Sequence, residues 1–317
     1  MKSKAQEIIN NLTSCSKSEY CKSEILDELL GLQGEMIAIA FPEADAAERS
    51  GLRLWDVVEL LETRVAENGV GAEEVAAYKK SSKQVGNSIA GLFSGARGEK
   101  KAFLKLESLV CEKALVKNIG LEFDGIRTEI DCAVITPEGA FIVEVKNTKR
   151  DVFIDETGNA FRVGKFNRLD CNLLEKMRVR EELLAMALEK VGFSDLPVKS
   201  LVVYTDSRIE VHNCCLKLTT CFLNQLPWFI KKLSGETVLS SAEIEQVRVG
   251  LEAIGIEWTY PMEVDIASFK QQFAEALVAS EKVTPSHPSK SGIAAHLSAV
   301  LVRLAAAVNP EQQITVA

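Results

Sequence analysis

Histidine is scarce in this chain. His212, His287 and His296 are the only three among 317 residues. None stands in a pattern with Ser or Cys and an acid, so hydrolysis by a Ser-His or Cys-His nucleophile is not expected. The eight cysteines, Cys15, Cys21, Cys111, Cys132, Cys171, Cys214, Cys215 and Cys221, include no Cys-x2-Cys pair with a matching second pair. The usual zinc frameworks are thereby excluded. A Gly-x4-Gly-Lys-Ser/Thr loop is also lacking, and with it the signature of a P-loop ATPase. Long apolar runs are missing too. Ile293 to Val308 is the most apolar stretch, but His296, Ser298 and Arg303 interrupt it. A membrane span needs about 20 apolar residues. The stretch therefore reads as a helix packed in an oligomer or against the body, and a membrane partner is not expected. Met1-Lys-Ser-Lys-Ala-Gln-Glu is not followed by an apolar segment, so no secretory leader is expected. Free thiols in a reducing cytoplasm are the simplest reading of the cysteines. No internal repeat is evident.

What the chain does contain is ordinary for a folded protein: 47% hydrophobic and 26% charged residues. Its length allows a sizeable core and two or three domains. The net charge of −8 argues against a protein that coats nucleic acid by bulk charge. It leaves room for a local basic surface. Lys146, Lys149, Arg150, Arg162, Lys165, Arg168, Lys176, Arg178 and Arg180 lie close together in sequence. Such a group can hold phosphates, although Asp151, Asp155, Glu156, Asp170 and Glu175 interrupt it.

The most informative stretch runs from Thr128 to Lys146. It reads as two strands around Thr136-Pro137-Glu138-Gly139, a sequence suited to a type I turn. A turn centred between Pro137 and Glu138 sets Asp131 opposite Glu144. A centre one residue later sets Asp131 opposite Lys146. In either register the period of two puts Glu144 and Lys146 on one face, and Asp131 can share it. Two neighbouring carboxylates repel unless a cation lies between them. A hard divalent ion such as Mg²⁺ or Mn²⁺ answers that need with carboxylate oxygens and waters. With a lysine beside it, the group suits hydrolysis of a phosphodiester. The bare pattern also describes a polar strand face with a Glu–Lys pair.

The surroundings extend the pattern. Gly95-Ala-Arg-Gly98-Glu99 precedes a helical spacing of Phe103, Leu106, Leu109 and Val110, which predicts Glu99 in the first turn of a helix. Ala114 to Gly120 reads as a strand. A second hairpin is expected around Thr157-Gly158-Asn159, a helix from Asn172 to Lys190 and a buried strand from Val198 to Tyr204. Gly98-Glu99, Glu129-Ile130-Asp131 and Phe141-Ile-Val-Glu-Val-Lys-Asn147, in this order of elements, resemble the nuclease-related domain family of the PD-(D/E)xK nuclease superfamily. The resemblance covers roughly residues 95–212. It implies an α/β, restriction-endonuclease-like core of helix, three-strand meander, helix and strand. It implies Asp131 and Glu144 as metal ligands, Lys146 as the catalytic lysine, and Glu99 as a further acidic residue in the metal shell. The family commonly carries an Asn-Pro pair followed by Gln before the second helix. Here Lys165-Phe-Asn167-Arg168-Leu-Asp170-Cys-Asn172-Leu-Leu-Glu175-Lys176 has neither Pro nor Gln, and Lys176 or Glu175 is expected near that position.

Mainly helical regions flank the core, at 1–94 and 213–317. Leu54, Val57, Val58, Leu60, Leu61 and Val65 form one amphipathic stripe, with Trp55 beside it. Pro227 should kink or divide a helix over Leu216 to Leu233. Ser240 and Glu243 match a capping box opening a helix to about Ala253, and another helix is expected from Ile266 to Lys282. Thr284 to Gly292 reads as a linker. The expected activity is hydrolysis of phosphodiester bonds, in DNA by preference, with Lys149, Arg150, Arg162, Lys165, Arg168 and Lys176 contacting nucleic acid. The alternatives are a non-catalytic nucleic-acid-binding module and a protein-interaction component whose helical flanks recruit a partner or a second copy.

Overall fold

The computed structural model describes residues 2–12, 17, 19–164 and 172–281. The sequence expectations for the apolar stretch 293–308, for the 284–292 linker and for Lys165 and Arg168 lie outside these residues. In chain order the elements begin with helix α1 (Lys2–Asn11), strand β1 (Glu19–Tyr20) and helices α2 (Lys22–Ala40), α3 (Ala46–Gly51), α4 (Leu54–Asn68) and α5 (Ala72–Glu107). Strands β2 (Ala114–Phe123), β3 (Ile126–Thr136), β4 (Gly139–Lys146), β5 (Val152–Ile154) and β6 (Ala160–Arg162) follow. Then come α6 (Leu173–Lys190), β7 (Val198–Tyr204), β8 (Val211–Asn213), β9 (Thr220–Phe222), α7 (Leu226–Leu233), α8 (Ser241–Ile254), β10 (Tyr260–Pro261) and α9 (Ile266–Ser280). Among the described residues no helix is long and apolar enough to cross a membrane.

Two compact units divide the chain. One comprises residues up to Gly91 and from Tyr260 onward, the other Leu92–Thr259. In the first, α2, α4 and α9 pack together and β1 pairs with β10. Tyr78 of α5 is buried there, with its ring 5.6 Å from Phe269 and 5.4 Å from Phe273 of α9. The amphipathic stripe of α4 supplies Val57, Val58 and Leu61 to the same interior.

The second unit is built on a five-stranded sheet in the order β2-β3-β4-β7-β9. β2, β3 and β4 form an antiparallel meander, and β4, β7 and β9 run parallel. Six of the eight residues of β4 are buried, as an apolar strand covered on both faces requires. One face packs Ile130, Ala133, Ile142 and Val202 against Met177 and Leu184 of α6 and Val247 and Leu251 of α8. The other packs Cys132, Val134, Phe141 and Val203 against Leu106 of α5 and Leu226 and Ile230 of α7. Burial pushes the Cys132 thiol up to about 12, so it acts as a small apolar side chain. Beside the main sheet, β6, β5 and β8 form a three-stranded sheet. Its β5–β6 turn is held by Asp155, whose carboxylate accepts from the Thr157 hydroxyl at 2.7 Å and from the Asn159 amide at 2.9 Å.

Three sequence expectations change here. Gly95 and Gly98 do not open a new helix. They lie inside continuous α5, so Glu99 is far from a helix N-terminus. Isolated glycines cost a helix about 1 kcal/mol each, which the good helix formers on either side absorb. Residues 216–225 are not helical: Thr220–Phe222 takes the open edge beside β7, and Pro227 stands at the start of α7, where its missing N–H costs nothing. As a result β9, α7 and α8 join the core unit instead of a separate C-terminal region. The capping box is present as the sequence implied. Ser240 Oγ accepts from the Glu243 amide, and the Glu243 carboxylate accepts from the Ser240 amide at 2.8 Å. Ser240→Ala should therefore lower stability by about 1 kcal/mol in urea denaturation.

Candidate functional site

The site begins where β3 and β4 part. Their pairing runs from Thr136↔Gly139 to Cys132↔Val143. This is the register centred between Pro137 and Glu138, and it brings Asp131 opposite Glu144. At Asp131 the regular ladder gives way. The β2–β3 pairing passes from Lys117↔Cys132 to Ile119↔Ile130, and Asn118 between them has φ of 50°. Asn is among the few residues with a side chain that accept that backbone at modest cost. Ile130 and Ala133 face the α6 side of the sheet while Cys132 faces the other, so the side-chain alternation slips at Asp131. The freed carboxylate turns to β4 and accepts from the Val145 amide at 2.8 Å.

Glu144 lies on the α6 face of β4, buried with its side chain 3% exposed. Three cations reach it. Lys146 Nζ, two residues along the same face, stands 2.9 Å from Oε1. Lys176 Nζ, from the first turn of α6, stands 3.1 Å from the same oxygen. Arg180, one helical turn further, pairs with Oε2 through its Nη1. Its Nη2 is 4.0 Å from Asp131 Oδ1, and its Nε donates to Thr128 Oγ1 at 3.4 Å. The Arg180 side chain is 3% exposed, against 28% for Lys146 and 30% for Lys176.

Helix α6 holds this arrangement. Asn172 caps it, its side-chain oxygen accepting from the Glu175 amide at 2.8 Å. The Asn172 side-chain amide donates to the Thr157 carbonyl at 2.8 Å, and the Leu173 amide to the Gly158 carbonyl, also at 2.8 Å. Gly158 has φ of +86°, and a Cβ there would lie 2.4 Å from Leu174. The β5–β6 turn therefore needs glycine to seat the helix. Of the two candidates for the family's Gln position, Lys176 is the one at the carboxylates. Glu175 pairs with exposed Arg178 at 3.0 Å.

On the other side, α5 approaches the end of β4. A Cβ on Gly98 would be 2.6 Å from the Asn147 Cβ. Asn147 donates to the Ser94 carbonyl at 2.7 Å and accepts from Thr205 Oγ1 at 2.7 Å. Gly98 and Asn147 thus form a close contact that fixes the chain just after Lys146; Glu99, next to Gly98 in sequence, is half-buried. Lys149 and Arg150 are exposed in the segment after β4, and Arg162 is exposed on β6. Among the described residues, no three His, Cys, Asp or Glu side chains gather as a metal-holding group.

Arg180 is the site residue that the motif reading passed over. The signal was its position. Leu173, Met177, Arg180 and Leu184 are the buried stripe of α6, and an arginine at such a place requires a buried counter-charge.

Residues 94–205 match the family model of the nuclease-related domain, which spans α5 from Ser94 through β7. The chain is similar to that domain over this stretch. No curated protein and no solved structure matches it.

Removing one partner from a buried ion pair leaves an uncompensated charge at a cost of about 3–5 kcal/mol. Glu144→Ala should therefore destabilise the protein by about that amount. Lys146→Ala, at a partly exposed cation, should cost about 1 kcal/mol or less. Urea denaturation of the two variants checks the difference, and Lys146→Ala is the cleaner probe of chemistry.

Proposed function

We propose that this chain hydrolyses phosphodiester bonds in nucleic acid, with DNA as the expected substrate and Mg²⁺ or Mn²⁺ as the expected ion. The observation that supports this reading is the convergence of Asp131, Glu144 and Lys146 at one break in the sheet, within the stretch matching the nuclease-related domain. The donors fit such an ion. Both carboxylates are oxygen-only, and they already face one cation between them. When bound, the ion would neutralise charge on the phosphate and make water a better nucleophile.

The chain's own residues have separable roles in this proposal. Asp131 is fixed by the Val145 amide and Glu144 by Lys146, Lys176 and Arg180, so both are oriented before substrate arrives. Lys146 Nζ lies on the partly exposed side of the carboxylates. There it can donate to a phosphoryl oxygen as negative charge develops. Lys176 offers a second ammonium to the same phosphate. Exposed Lys149, Arg150 and Arg162 extend the positive surface along the nucleic acid, and Glu99 contributes to the outer part of the site. In the overall reaction one oxygen of water bonds to phosphorus, one P–O ester bond breaks, and the leaving oxygen takes a proton. A cytoplasmic setting suits free thiols such as Cys132 and Cys221.

A second reading is a nucleic-acid-binding module without catalysis. The surplus of cations at Glu144, with lysine in place of the family's Gln, favours it. The two readings part in one experiment. Labelled linear, circular and single-stranded DNA are incubated with wild type and Lys146→Ala in Mg²⁺, Mn²⁺ or EDTA. The nuclease reading expects cutting that needs the ion and falls at least about 100-fold in Lys146→Ala. Binding in every lane with no cutting would favour the second reading.

A further inference from the structure

In the chemistry set out above Arg180 only holds Glu144 in place, yet its guanidinium spans three partners on two strands: Glu144 of β4, and Asp131 and Thr128 of β3. It lies between the two carboxylates, where an ion bound by both must also lie. We infer that Arg180 fills the ion's place in the resting protein and determines how tightly that ion binds. The inference rests on the reading of Asp131 and Glu144 as the ion's ligands.

The argument is one of charge and space. The Arg180 guanidinium pairs with Glu144 and stands 4.0 Å from Asp131, and Lys146 and Lys176 also reach Glu144. A divalent ion held by the same two carboxylates would set two further positive charges directly beside that guanidinium. In a buried site such crowding is strongly repulsive. The guanidinium and the ion also compete for the same oxygen lone pairs, so they cannot share the pair. Entry of the ion therefore requires Arg180 to turn away. Anionic phosphate drawn to Lys146 and Lys176 eases that step by offsetting their charge. The ion then binds better to the protein holding nucleic acid than to the protein alone.

A lysine at this place would change the balance. Its single ammonium cannot address both carboxylates in the forked manner of a guanidinium. Arg180→Lys keeps a positive charge beside Glu144 and holds the ion's place less firmly. Arg180→Gln removes the competing charge and keeps hydrogen-bonding capacity.

The test is Mn²⁺ binding to the full chain by titration calorimetry or electron paramagnetic resonance, without substrate. The proteins are wild type, Arg180→Gln, Arg180→Lys, and Arg180→Gln combined with Glu144→Gln. Arg180→Gln is expected to bind Mn²⁺ about tenfold or more tightly than wild type, with Arg180→Lys between the two. Glu144→Gln in the same chain is expected to abolish the gain. Unchanged or weaker Mn²⁺ binding in folded Arg180→Gln overturns the inference. Should that variant fail to fold, Arg180→Lys decides in the same way. A gain that survives Glu144→Gln, or no Mn²⁺ binding by any of the proteins, overturns the ion-site reading itself.

Discussion

The buried contact between Glu144 and Arg180 is the constraint around which the core is arranged. It joins the central strand β4 to helix α6 through two side chains that are each 3% exposed. A charge so deeply buried is tolerable only with a partner and further hydrogen bonds. The hydrogen bonds come from Lys176 to the carboxylate and from the guanidinium to Thr128, and Lys146 and Asp131 add opposite charge nearby. The need to satisfy both groups fixes the rotation of α6, since Lys176 and Arg180 must both point at β4. It also fixes the depth of α6, which the Asn172 cap and the Gly158 contact then set from the N-terminal end.

Around that contact, two local departures from regularity shape the end of β4. The slip of side-chain alternation at Asp131, opposite left-handed Asn118, turns a carboxylate out of the ladder and onto the Val145 amide. The missing side chain of Gly98 lets α5 reach Asn147, which anchors the residue after Lys146 to Ser94 and Thr205. Both lie at the same end of β4. Strand-end sites of this kind combine a rigid sheet with donors freed from the ladder, and they position charged side chains better than loops do.

Much of this was legible in the residues. The turn around Pro137 and Glu138 left two registers, of which the pairing takes the one that sets Asp131 opposite Glu144; the alternation along Phe141 to Lys146 placed Glu144 and Lys146 on one face, and the expected strand Val198–Tyr204 and helix Asn172–Lys190 matched their elements closely. What was hidden had specific causes. Continuous α5 was hidden because Gly95 and Gly98 read as punctuation, while tertiary packing against Asn147 made one of them a requirement. Strand β9 was hidden because three residues carry no periodic signal, and its edge partner β7 lies well before it in sequence. Arg180 was hidden in a run of basic residues that looked like surface. Its counter-charge comes from a strand many residues away, and only the fold brings the two together.

The centre that results is a carboxylate pair already holding a cation, with two partly exposed lysines beside it. On the proposed reading such a site would exchange two occupants, the guanidinium seen here and a divalent ion drawn in with phosphate. The most direct measurement is anomalous diffraction from crystals of the protein grown with Mn²⁺ and a short DNA strand. The account predicts a Mn²⁺ peak in contact with both Asp131 and Glu144, with the Arg180 guanidinium turned away from them. DNA bound with Arg180 still bridging the two carboxylates, and no Mn²⁺ there, would contradict it.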